Sequence, residues 1–214
     1  MSDTVFSILG VLTYIALFLI ALWGAFCVVM VWARIEQKRF RDEDQQGVFL
    51  ESIEEPLMRG EYDTVSQICE GDRRATCQLV HLAVDNRKLG YAKVKQLIID
   101  RFQRDVLADL DFRLSWVYTV IKSAPMVGLL GTVMGMMGAF AKLGLSKTVE
   151  PDVLAKDIQF ALITTACGLA IAIPLVMATA SINIKIRKME DITTYGLNQF
   201  LEIFRESMIR YPQQ

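Results

Sequence analysis

The sequence predicts an all-α membrane protein with three transmembrane helices, the second and third extended into a cytoplasmic helical bundle. Two observations carry that prediction. Residues 4–33, 123–141 and 158–184 contain no Asp, Glu, Lys, Arg or His, giving uncharged runs of 30, 19 and 27 residues. A hydrocarbon core of about 30 Å takes about 20 helical residues to cross, so each run can span. The second observation is where the basic residues fall. The stretch before the first run has none, whereas residues 34–113 hold fourteen, four of them within 34–41. Lys and Arg stay on the cytoplasmic side, which places the N-terminus outside.

In chain order this gives a short outer segment at 1–7, a first span at 8–33, and a cytoplasmic helical domain at 34–114. A second span at 115–142, an outer connection at 143–157, a third span at 158–184 and a cytoplasmic helical tail at 185–214 complete the chain. The N-terminal flank lacks the positive charge of a cleavable signal peptide, so the first span reads as a retained anchor. Trp32 and Trp116 stand near the expected inner boundary, as an interfacial aromatic belt requires. Lys142, Lys147 and Lys156 in the connection are offset by Glu150, Asp152 and Asp157, and the tail opens with Lys185, Arg187 and Lys188.

Within the domain at 34–114, apolar residues recur at helical spacing. Val94, Leu97, Ile98 and Phe102, then Val106, Leu110 and Leu114, predict one long helix running into the second span. Pro56 with Gly60, Gly71 and Gly90 mark breaks between shorter helices. The tail keeps an amphipathic pattern through Ile186, Met189, Ile192, Leu197, Leu201, Phe204 and Met208, stopping at Pro212.

The second span carries Gly128, Gly131, Gly135 and Gly138 at steps of three, four and three, on one helical face, following Pro125. Glycines in one register let helix backbones approach closely in lipid. The third span presents Ala161, Thr165, Gly168 and Ala172 in a similar way, with Pro174 interrupting the next turn. Counting about 1.5 Å per residue, Thr132 lies roughly 15 Å from Lys142, and Thr165 about 12 Å from Asp157. The two hydroxyls thus reach similar depths from opposite chain directions. A lone membrane threonine ordinarily bonds back to its own helix, and that reading stays open beside a shared polar site.

None of the three uncharged runs holds a carboxylate, amine or imidazole, the groups that proton relays and ion sites within bilayers use. Either the chain moves no ions or a partner brings the acid. The near-neutral charge, 23 basic against 24 acidic residues, offers nothing to nucleic acid. Cys27, Cys69, Cys77 and Cys167 match no zinc or redox spacing, and His81 stands alone. No nucleophile with a base, metal cluster or phosphate loop is present, so no enzymatic activity, cofactor or metal is expected.

The run Ala124-Pro125-Met126-Val127-Gly128-Leu129-Leu130-Gly131-Thr132-Val133-Met134-Gly135-Met136 through Phe140, together with Ala161-Leu162 through Thr165-Ala166, Gly168-Leu169 and Ala172-Ile173-Pro174, resembles the MotA/TolQ/ExbB proton channel family. The likeness is closest to the ExbB/TolQ branch. It implies a bacterial inner-membrane subunit that forms a homo-oligomer, a ring of five, around two copies of an ExbD/TolR-type single-span partner with an intramembrane Asp. It also implies that Thr132 and Thr165 line the proton pathway, and that the proton motive force powers transport or envelope maintenance. A gliding or flagellar-type stator and a non-conducting helical scaffold are the alternatives. Phe160 stands where the family often has Glu, Thr179 and Ala180 where it commonly has Tyr-Asn, and Gly138 where it varies.

Overall fold

The computed structural model describes residues 2–40, 43–145 and 151–211. They form helices α1 (Ser2–Lys38), α2 (Glu43–Arg59), α3 (Tyr62–Cys69), α4 (Ala75–Asp85), α5 (Tyr91–Arg101), α6 (Ala108–Leu145) and α7 (Pro151–Arg210). A single 3-10 turn, Arg87–Leu89, precedes α5, and a π-helical segment, Phe102–Leu107, joins α5 to α6. No strand occurs among the described residues. Pro212 and the middle of the expected 143–157 connection, Lys147 and Glu150 included, lie outside them.

Three helices are long and apolar enough to cross a membrane, and their most apolar windows are only 22–28% buried within the chain. A soluble core helix would bury most of such a window. Here Phe18, Phe26, Met126, Leu129, Phe140, Leu162, Ile173 and Met177 point outward and are half exposed or more. That surface is stable facing hydrocarbon, where the helical backbone satisfies its own polar groups. The chain is an all-α membrane protein.

The residues divide into two compact units, one comprising Arg113–Ser181 with α1 up to Met30, the other Val31–Phe112 with the chain from Ile182 onward. In the first, α1 meets α6 and α7 at small residues. A Cβ on Gly24 would stand 2.8 Å from both Val120 and Leu175, and one on Gly10 would stand 2.9 Å from the Phe160 ring. Phe160, the departure from the family pattern, therefore fills the space that Gly10 leaves, with Tyr14 edge-on to it at 5.2 Å.

The second unit has a conventional apolar core of Ile35, Ile53, Leu57, Ile98, Leu110, Met189, Phe200 and Phe204. Several of its buried polar groups pair with one another, although Arg39 Nε and Arg87 Nε are buried without a hydrogen-bond partner. Ser207 donates to the Leu57 carbonyl at 2.6 Å and meets the Tyr62 hydroxyl at 2.9 Å. Gln46 donates to Thr76 at 3.1 Å. Lys185 places its ammonium 3.3 Å from the Trp32 ring centroid.

Gly60, Gly71 and Gly90 mark the turns, each with φ near +80°. Pro56, expected as a breaker, instead lies inside α2. It costs one N–H near the end of that helix, and its own carbonyl accepts the Glu61 N–H at 2.9 Å, so the turn waits for Gly60. Val94, Ile98, Phe102, Val106, Leu110 and Leu114 are all buried, at steps of four. An α-helix drifts about 40° per such step. The wider π segment takes back part of that drift, with the Ala108 N–H reaching the Gln103 carbonyl five residues earlier.

Candidate functional site

The site lies where α6 and α7 approach within the first unit. Glycine permits the approach. A Cβ on Gly128 would stand 2.7 Å from the Thr164 carbonyl oxygen and 3.1 Å from Thr165 Cα. On Gly131 it would stand 2.6 Å from the Thr164 hydroxyl, on Gly135 2.9 Å from Ala161 Cβ, and on Gly168 2.6 Å from the Ala124 carbonyl oxygen and 3.2 Å from Pro125 Cα. Four of the residues expected at a packed interface thus meet across one contact, which Pro125 borders. Gly138 is buried and lines a neighbouring cavity. Pro174 is exposed on α7, away from this contact.

Close backbones bring hydroxyls onto carbonyls of the opposite helix. Thr132 donates to the Ala161 carbonyl at 3.0 Å, with its own-helix acceptor Gly128 longer at 3.3 Å, and its Oγ1 is hydrogen-bonded to Thr165 Oγ1. Thr165 also reaches the Gly128 carbonyl, at 3.2 Å. The geometry brings the two threonines together. Thr164, which spacing alone did not single out, completes the cluster with bonds to Ala161 at 2.8 Å and Gly128 at 3.3 Å. The buried face of α7 steps through Ala161, Thr164, Gly168 and Ala172, while Thr165 sits half-buried at its edge. Thr164 is therefore sealed in the contact, and Thr165 stays partly exposed.

Three hydroxyls sharing two carbonyls make a neutral, polar, part-buried site. A hydroxyl donates to a carboxylate and accepts from a carboxylic acid, so such a cluster can hold either protonation state of an acid placed against it. It cannot itself carry a net proton at neutral pH. Thr179, at a position where the family commonly has Tyr, is buried and bonds back to Leu175 at 2.7 Å.

Cys69, Cys77 and His81 belong to the second unit. Cys69 and Cys77 are buried and free. Burial, reinforced by Asp72, pushes the Cys69 thiol up to about 12 and raises Cys77 as well. Arg74 hydrogen-bonds Asp72, holding that carboxyl below its usual range, and stacks 4.2 Å over the Phe40 ring. His81 pairs with Asp85 at 2.9 Å. No group of metal-ligating side chains occurs among the described residues.

A family model described as the MotA/TolQ/ExbB proton channel family matches residues 79–194, which include every threonine of the cluster. The chain belongs to this family. Biopolymer transport protein ExbB of Helicobacter pylori is 37% identical over 99 residues, covering 46% of this chain and 68% of that protein. Tol-Pal system protein TolQ of Haemophilus influenzae is 35% identical over 97 residues, covering 45% and 42%. ExbB of Xanthomonas campestris is 37% identical over 94 residues, covering 42% and 37%. The chain spans about two thirds of the Helicobacter relative and less than half of the other two. These relatives place it in the ExbB/TolQ branch of the MotA/TolQ/ExbB family, among multi-pass proteins of the inner membrane.

Proposed function

We propose that this chain is the ring-forming subunit of an inner-membrane proton-channel motor. In this reading five copies surround two copies of an ExbD/TolR-type single-span partner, whose intramembrane Asp docks against Thr132 and Thr165. The observation that carries it is the hydroxyl cluster itself: polar groups at a glycine-built contact, with no acid in any span of the chain. The spans are 8–33, 115–142 and 158–184, the N-terminus and the 143–157 connection are periplasmic, and 34–114 with 185–214 is cytoplasmic.

Protonation of the partner's Asp removes the cost of a charge in a low-dielectric site, and the hydroxyls stabilise whichever form is present. The partner or the ring then steps, and each proton crossing supplies about 2.3 kcal/mol per 100 mV. That work powers transport or envelope maintenance. Thr165→Val, which keeps shape and removes the hydroxyl, tests the reading when the chain is co-expressed with its single-span partner. Assembly retained with proton-dependent work abolished is the expected result. Full work with Val at position 165 would reduce the chain to a scaffold.

A further inference from the structure

A cavity of about 320 Å³ opens within the first unit beside the hydroxyl cluster, lined by Thr13, Tyr14, Met134, Gly135, Lys142 and Asp157 among others. Two features set it apart from a gap between membrane helices. At one end Lys142 Nζ lies 2.7 and 3.1 Å from the two Asp157 carboxylate oxygens, with the side chains 31% and 24% exposed. An ammonium and a carboxylate are costly at such a place unless water or each other satisfies them. Toward the other end, the cavity wall abuts the cluster. The Thr13 methyl would stand 3.1 Å from a Cβ on Gly131, which would itself be 2.6 Å from the Thr164 hydroxyl. Gly135 packs on Ala161, whose carbonyl accepts from Thr132.

We propose that this cavity is a hydrated inlet running inside the subunit to the threonine cluster, with the Lys142–Asp157 pair as its charge filter. Its volume accommodates on the order of ten waters at about 30 Å³ each. Those waters find partners in the Thr13 hydroxyl, which donates to Leu9 at 2.9 Å and keeps lone pairs for accepting, in the Tyr14 hydroxyl, and in the ion pair. Asp157 cancels the charge of Lys142 at the mouth. A bare ammonium there would repel hydronium from a low-dielectric passage. The pair thus admits cations where Lys142 alone would exclude them. The assignment of the waters as a proton supply rests on the proposed function, whereas hydration and filtering are properties of this chain's own residues.

Thiol accessibility in the assembled complex in membranes tests it, with Cys27 and Cys167 replaced by Ser and the buried Cys69 and Cys77 retained. Met134→Cys lines the cavity, and Leu12→Cys, at a position 60% exposed on the outward side of α1, serves as the lipid-facing control. Cationic and anionic methanethiosulfonates of similar size, added to the periplasmic face, are the probes. Met134→Cys is expected to react at least about tenfold faster than Leu12→Cys. Adding Asp157→Asn is expected to shift the cation-to-anion rate ratio by about tenfold toward the anion. Asp157→Glu keeps the original ratio, and Lys142→Met combined with Asp157→Asn restores it. Equal reactivity at positions 134 and 12 would mean a dry or lipid-filled cavity and would overturn the inlet. A ratio indifferent to Asp157→Asn would overturn the filter. Thr165→Val leaves all these rates unchanged, so a failure here is separate from a failure of the hydroxyl cluster in coupling.

Discussion

Gly128→Ala is the most direct probe of the α6–α7 contact. The added methyl would stand 2.7 Å from the Thr164 carbonyl oxygen and 3.1 Å from Thr165 Cα, and both are backbone atoms with no flexible end to swing aside. Ordinary van der Waals contact starts at 3.4 Å, so the helices must part by about 0.5–0.7 Å. That movement stretches the 3.0 Å bond from Thr132 to Ala161 and the 3.2 Å bond from Thr165 to Gly128 beyond useful length. Overpacking costs roughly 1–3 kcal/mol and each bond given up about 1 kcal/mol, against about 1 kcal/mol gained by Ala over Gly in a helix. The net is a loss of about 2–4 kcal/mol. Gly144→Ala is the matched control, because nothing lies within 4 Å of its added Cβ. Unfolding both variants in mixed micelles with increasing SDS, followed by circular dichroism, reads the difference. Equal midpoints for the two would refute the claim that backbone proximity at Gly128 holds the site.

Thr164→Val is expected to cost about 1 kcal/mol of stability while sparing proton-driven work, and Thr165→Val, at a similar cost, to abolish that work, since of the two only Thr165 is partly exposed. Micelle unfolding and vesicle proton flux, run on both variants, check the pair. Cys69 and Cys77 are expected to resist maleimide at pH 7.5 in the native protein and to label fully in denaturant. Because burial raises both thiols above their unfolded values, stability falls as pH rises above about 9, where the unfolded state loses protons that the folded state retains, until Cys69 ionises at about 12. A pH series of denaturation midpoints up to pH 11 should therefore slope downward, and Cys69→Ala with Cys77→Ala should flatten it. Ser207→Ala strips the Leu57 carbonyl and the buried Tyr62 hydroxyl of a partner, with an expected loss of about 1–3 kcal/mol in the same unfolding assay.

The three long apolar helices were legible because a bilayer demands long uncharged runs, and few other structures do. Gly128, Gly131 and Gly135 were legible because their spacing puts them on one face whatever that face meets. Thr164 was not. Positions 164 and 165 both fall near the face defined by Ala161 and Gly168, and only the partner helix decides which is sealed and which is left open. The fit of Phe160 over Gly10 was equally hidden, since periodicity reports a helix's own faces and not its match to a helix 150 residues away. Pro56 shows the converse, a breaker signal that tolerates helix on both sides because it falls near the end of α2. The π segment, in contrast, has a trace in the sequence: apolar residues at five consecutive steps of four outrun an α-helix and call for a wider turn.

Proton flux in vesicles under an imposed potential tests most directly whether the chain contributes hydroxyls and borrows its acid. Vesicles holding this chain alone should be as tight as protein-free ones, and co-reconstitution with a single-span partner bearing an intramembrane Asp should open a flux that Thr165→Val closes. Flux of the same size from the chain alone would mean that an acid is not borrowed, and would contradict the reading at its root.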